Sequence, residues 1–166
     1  MSALENPRGK PASGKLGAES SGEADSGSVM LVVFAAGNSF MAYDARSVGE
    51  VIRLPRITRS YGAAPYVMGV VNLRGRIITV IDLEVKLGLP RTEPLDPRLL
   101  VIEEAGGEAI GVQVPALHDV IEADVAEIQP MRADLRGTDP ELFVGVLRRD
   151  DMLVAILDPK RSLSVA

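Results

Sequence analysis

The chain has 166 residues, 46% of them hydrophobic and 25% charged, with a formal net charge of −5 and no cysteine. This length suits one compact domain, or two very small ones around a shared core. The lack of thiols excludes a disulfide framework and thiolate metal sites, and the acidic balance opposes a general nucleic-acid or anionic-lipid binder, which needs a cationic face.

Residues 1–28 are rich in Ser, Gly, Ala and charge, with Leu4 and Leu16 as the only large aliphatic residues. Such a segment cannot bury enough surface to offset its ordering entropy, so a disordered N-terminal tail is expected, either inert or used for recruitment. The N-terminus has no apolar stretch of signal-peptide type. The longest apolar run, residues 29–36, has eight residues, against about 20 for a membrane span. The expectation is a cytoplasmic protein without membrane insertion.

Order is expected from Val29 onward. Residues 29–34 and 39–43 read as strands around a Gly37-Asn38 turn. Residues 48–54, closed by Pro55, are apolar, and their pattern leaves helix or strand open. The clearest hairpin joins residues 67–73 to residues 76–83 through Arg74-Gly75, where Gly takes positive φ at no steric cost. Asp82 caps a short predicted helix over 83–87 that stops at Gly88, with Pro90 beyond. Residues 90–97 read as a linker. Strands follow over 99–103, 109–114 and 118–123, with Gly106-Gly107 as a turn. Residues 143–147 and 152–157 form a second hairpin, and Asp158-Pro159 opens a terminal helix.

The two sets of elements repeat one another. Gly69 and Gly145 stand 76 residues apart, and at that spacing Ile78-Thr79-Val80-Ile81-Asp82 meets Val154-Ala155-Ile156-Leu157-Asp158. At a spacing of 69, Leu31-Val32-Val33 meets Leu100-Val101-Ile102, and Glu50-Val51-Ile52 meets Asp119-Val120-Ile121. This predicts a mainly β fold of two small five-stranded units packed together, with short helices. Each unit is too small for a good core alone, and a groove between them would suit a partner's helix or strand.

No catalytic, cofactor or metal site is expected. His118 is the only histidine, too few imidazoles for a histidine metal site. Its neighbour Asp119 would face the other side of a strand, which rules against a nucleophile triad. Glu103-Glu104 and Asp150-Asp151 sit at solvated positions, and Gly106-Gly107 is too short to cradle a phosphate. Arg53, Arg56 and Arg59 recur every third residue, either as a solvated loop edge or as a patch for an acidic partner.

The run Val67-Met68-Gly69-Val70-Val71-Asn72-Leu73-Arg74-Gly75-Arg76-Ile77-Ile78-Thr79-Val80-Ile81-Asp82-Leu83 closely resembles the signature of CheW-like domains, the coupling proteins of bacterial chemotaxis. Leu31-Val32-Val33-Phe34, Val48-Gly49-Glu50-Val51-Ile52 and Leu87-Gly88-Leu89 match in order. The resemblance implies two SH3-like barrels within residues 29–166, one over about 29–88 and one over about 98–160, with strand exchange between them left open. It implies a non-catalytic adaptor, without cofactor, that joins the cytoplasmic tip of a methyl-accepting chemoreceptor to the regulatory domain of a CheA-type histidine kinase. Recruitment to receptor arrays at the inner membrane would follow. The alternative is a scaffold of non-flagellar motility or developmental signalling. The residues implied in partner binding are Val48, Glu50, Gly69, Asn72, Arg74 and Gly75. Glu50 and Arg74 are expected close together, as a recognition pair or only a surface ion pair. Gly69 is a coupling position, a bulge or a close-packing glycine. Pro115 stands where the family usually has an aspartate, and the stretch 59–64 lacks the family's usual proline pattern.

Overall fold

The computed structural model describes residues 27–103, 108–132 and 137–164. The expected tail up to residue 26 and the Gly106-Gly107 turn lie outside them. The strands are β1 (Ser28–Ala36), β2 (Ser39–Asp44), β3 (Val48–Arg53), β4 (Thr58–Arg59), β5 (Val67–Leu73) and β6 (Arg76–Asp82), followed by helix α1 (Leu83–Leu87). The second series is β7 (Arg98–Glu103), β8 (Ala109–Val114), β9 (Ala116–Asp124), β10 (Ile128–Gln129), β11 (Phe143–Arg149) and β12 (Met152–Leu157), then α2 (Pro159–Ser162). The stretch whose identity the pattern left open is strand β3, paired antiparallel with β7.

Local chemistry fixes the boundaries. Gly37 and Asn38 both have positive φ, 61° and 58°, as the two-residue turn that matches strand twist requires. Asp82 accepts the Val85 N–H and opens α1, and Gly88 ends it in the left-handed conformation at φ 68°. Asp158 caps α2 in the same way, accepting from Lys160 and Arg161.

The strands form two six-stranded sheets, β3-β7-β8-β6-β5-β4 and β10-β11-β12-β2-β1-β9. Each curls into a small SH3-like barrel, here barrel 1 and barrel 2. The sixth strand in each is β4 or β10, two residues long and too short for a pattern to reveal. Each sheet draws on both halves of the chain. The β1–β2 hairpin lies in the sheet of β9–β12, and β7–β8 lies in the sheet of β3–β6. The repeat is carried in the register. Gly69 pairs with Val80 and Gly145 with Ile156, each beside a bulge. Thr79 pairs in parallel with Ile110, and Ala155 with Met41, which are the same positions at spacings of 76 and 69.

Side-chain alternation sorts the apolar residues into three cores. In β1, Leu31 and Val33 fill barrel 2, while Val32 and Phe34 face the space between the barrels. In β7, Leu99 and Val101 fill barrel 1, while Leu100 and Ile102 face the same central space. These strands are apolar on both faces because both faces are buried. The groove expected between the repeats is not what separates them: Phe34, Met41, Tyr43, Leu83, Leu100, Ile102 and Leu157 pack there as one core. No helix among the described residues is long and apolar enough to cross a membrane.

Candidate functional site

The candidate site lies at the tip of the β5–β6 hairpin in barrel 1. Leu73 pairs with Arg76, so Arg74-Gly75 is a two-residue turn, with φ 52° and 85°. Such turns favour Asn or Gly at the first position. Arginine gains nothing there from backbone preference, since its Cβ opposes the left-handed conformation. Asn72 supports the turn: its Oδ1 accepts the Gly75 N–H at 2.9 Å.

From this turn the Arg74 guanidinium pairs with the Glu50 carboxylate on β3. β3 is one edge of the sheet, whereas β5 lies toward the other, so the ion pair bridges the open side of barrel 1. Arg74 is 69% exposed and Glu50 31%. The hydrogen bond to Glu50 and its negative charge hold the guanidinium above its ordinary pKa. A second pair lies beside the first, with Arg76 donating to Glu103 of β7 at 3.4 Å. Ile77 follows with 66% of its surface exposed. Its neighbour Ile78 points into barrel 1, so the outward Ile77 follows from strand alternation. The apolar run hides this in the sequence. The arrangement offers a forked cation, a second arginine and an apolar side chain on one hairpin tip. Such a fork can bind a carboxylate bidentately.

The six expected residues do not all meet here. Glu50 and Arg74 do, and Asn72 and Gly75 shape the turn that presents Arg74. Val48 lies at the start of β3, half-buried against the central core. Gly69 is five residues before Arg74, roughly 17 Å along an extended strand. It sits at a bulge with φ 149°, and a Cβ would overlap the Thr58 carbonyl oxygen of β4. Its need is steric, as at Gly145, where a Cβ would lie 2.5 Å from the Gln129 carbonyl oxygen.

His118 packs against Phe40 with the rings tilted at 50° and their centroids 4.7 Å apart, while the Asp119 carboxylate accepts the Val120 N–H. Among the described residues no group of His, Cys, Asp and Glu could hold a metal ion. Arg53, Arg56 and Arg59 are exposed, and none enters an ion pair among the described residues.

Comparison with known proteins supplies the context. The chemotaxis protein CheW of Bacillus subtilis is 28% identical over 136 residues, covering 82% of this chain and 86% of that protein. The protein PilI of Pseudomonas aeruginosa is 33% identical over 112 residues, covering 62% of this chain and 60% of that protein. The crystal structure of scaffolding protein TtCheW from Thermoanaerobacter tengcongensis superimposes with a TM-score of 0.77 at 27% identity, covering 89% of this chain and 95% of that one. Residues 30–166 match the CheW-like domain as a family. The double barrel, the hairpin signature and that match agree: this chain belongs to the CheW-like domain family.

Proposed function

We propose that this chain is a non-catalytic adaptor that couples the cytoplasmic tip of a methyl-accepting chemoreceptor to the regulatory domain of a CheA-type histidine kinase. The observation that carries this reading is the Arg74–Glu50 pair on the exposed hairpin tip of barrel 1. Arginine occupies a turn position that its backbone disfavours, so its place is better explained by what its side chain meets. A partner carboxylate could share or replace Glu50 on the guanidinium fork, and Ile77 adds apolar area beside it. Arginines so placed are common among binding hot spots.

The relatives named as chemotaxis proteins and as a scaffolding protein support the same reading. The similarity to PilI, a relative whose name does not speak of chemotaxis, favours one second reading. In it the chain serves a related receptor–kinase system that does not drive flagella. Both readings use the same surface and differ only in the partners.

The test is a pull-down of the full chain with a receptor cytoplasmic fragment and a CheA-type kinase from the same organism, run beside Arg74→Glu. A ternary complex that forms with the native chain and fails with the folded variant supports the proposal. A folded native chain that binds neither partner sinks it.

A further inference from the structure

Glu84 lies in the first turn of α1 and belongs to barrel 1, yet its carboxylate is buried, with the side chain only 4% exposed. One oxygen, Oε2, accepts two backbone N–H groups: that of Gly37 at 2.8 Å and that of Thr92 at 2.9 Å. Gly37 is the tip of the β1–β2 hairpin, which is part of barrel 2. Thr92 lies in the connection from α1 to β7, both of which belong to barrel 1. The same tip is held twice more. The Asn38 N–H donates to Thr92 Oγ1 at 2.7 Å, and Leu89 packs so closely that a Cβ on Gly37 would lie 2.9 Å from Leu89 Cβ. The other Glu84 oxygen is 3.7 Å from Arg91, whose guanidinium donates to Asp82 at 2.7 Å.

The central core holds the barrels together, but apolar contact is non-directional. Hydrogen bonds from one buried oxygen to two fixed N–H groups are directional. In the second repeat the residue at the corresponding place, 76 positions on, is Lys160, which is exposed. The contact is therefore one-sided. We infer that Glu84 is a positioning residue, a latch that pins the exchanged hairpin of barrel 2 to barrel 1 and so fixes the angle between the barrels. Its use in signalling rests on the adaptor reading, since an adaptor with two partners passes their spacing through this angle. The two backbone bonds need an acceptor and not a charge: a single oxygen takes both, so the amide oxygen of glutamine can replace it, at the loss of the Arg91 contact.

The native chain has no cysteine, so Arg53→Cys on β3 and Val144→Cys on β11 allow one spin label on each barrel. Electron–electron distance measurement is then made on this background, with Glu84→Gln and with Glu84→Ala. Amide hydrogen exchange is followed in the chain without labels. Expected are one narrow distance for the native residue and for Glu84→Gln, and a broadened distribution for Glu84→Ala. Exchange at Gly37 and Thr92 in Glu84→Ala should rise roughly 5- to 150-fold, the range set by leaving a buried donor unpaired. Glu84→Gln behaving like Glu84→Ala overturns the acceptor latch, and so does an unchanged distance in Glu84→Ala. If Glu84→Ala does not fold, Glu84→Gln decides alone: exchange at Gly37 and Thr92 raised roughly 5-fold or more over the native chain overturns the acceptor latch. Failure of the native chain to bind receptor or kinase would remove the adaptor reading and leave these measurements intact.

Discussion

At the tip of the β5–β6 hairpin stands Arg74; at the tip of the β11–β12 hairpin, 76 residues on, stands Asp150. Both have positive φ, 52° and 54°, and both hairpins share one register. Aspartate tolerates that conformation because its short side chain bonds locally, whereas arginine has no such compensation. The facing position differs less: Glu50 in barrel 1 corresponds to Asp119 in barrel 2. Barrel 2 therefore has two acids where barrel 1 has an ion pair. It ties its hairpin to β9 by other means, with Arg149 donating to the Glu122 carbonyl at 3.1 Å. The fold asks only for the register and a two-residue turn. Charge at the tip is left free to differ, and it does: an ion pair in barrel 1, two acids in barrel 2.

The comparison can be broken most severely at the glycines. Both Gly69 and Gly145 face the backbone of a two-residue strand, but only Gly69 also has a left-handed φ. Gly69→Ala should destabilise by roughly 2–4 kcal/mol, adding backbone strain to overlap, and Gly145→Ala by roughly 1–3 kcal/mol, from overlap alone. Urea unfolding of both variants checks this. If Gly145→Ala costs more, the bulge of barrel 1 is not the tighter one.

Next come the tips. Arg74→Glu should lower receptor-fragment affinity by about 30-fold with unchanged circular dichroism, while Asp150→Arg leaves it within about twofold. Titration calorimetry on both variants decides. Equal losses would mean that both barrels face the receptor, and the specialisation of barrel 1 would fall.

Both hairpins, the helix caps, the repeat and the family signature were legible in the sequence, since each rests on neighbours within one element. The exchange of hairpins was not settled, because strand alternation looks the same whichever sheet a strand joins. Strands β4 and β10 are too short for any period. Glu84 escaped notice for a related reason. A glutamate in the first turn of a helix reads as a solvated charge beside the helix dipole, and its acceptor role depends on Gly37, 47 residues away. The Glu50–Arg74 pair was found through the family resemblance and not through spacing, since it crosses from one sheet edge to a distant turn.

A smaller difference lies in the central core. Tyr43 is fully buried, with its hydroxyl 2.9 Å from Ser162 Oγ; Val112, 69 residues on, fills the matching place without a polar group. Burial pushes the Tyr43 phenol well above its ordinary value, against the Ser162 bond. A raised native pKa means that this stabilisation is complete below about pH 10 and is lost as pH climbs past it. Tyr43→Phe should cost about 1 kcal/mol at neutral pH and flatten the alkaline limb of the stability curve. An unaltered alkaline limb would place the titrating group elsewhere.

The smallest expected effect concerns the crossings between barrels. The chain passes from β2 to β3 through a 3-10 turn over Ala45–Ser47, capped by Asp44, and from β8 to β9 through Pro115 alone. Burial pushes the Asp44 carboxyl up, but bonds from the Arg46 side chain and backbone outweigh it and hold the group below its usual value. The sign follows: this stabilisation is present above about pH 4 and is lost as pH falls through the lowered native value. Arg46 is 88% exposed, so the pair is worth a few tenths of a kcal/mol, about what a surface pair gives. Asp44→Asn keeps an acceptor for the Arg46 N–H and should shift stability at pH 7 by no more than that, while reducing the loss between pH 5 and pH 3. Pro115 offers no titratable group, so Pro115→Ala should leave the acid limb unchanged. Urea midpoints at the three pH values separate the crossings. A loss above about 1.5 kcal/mol in Asp44→Asn at pH 7 would make the first crossing a strained hinge held by charge, since cap and surface-pair effects alone stay below that.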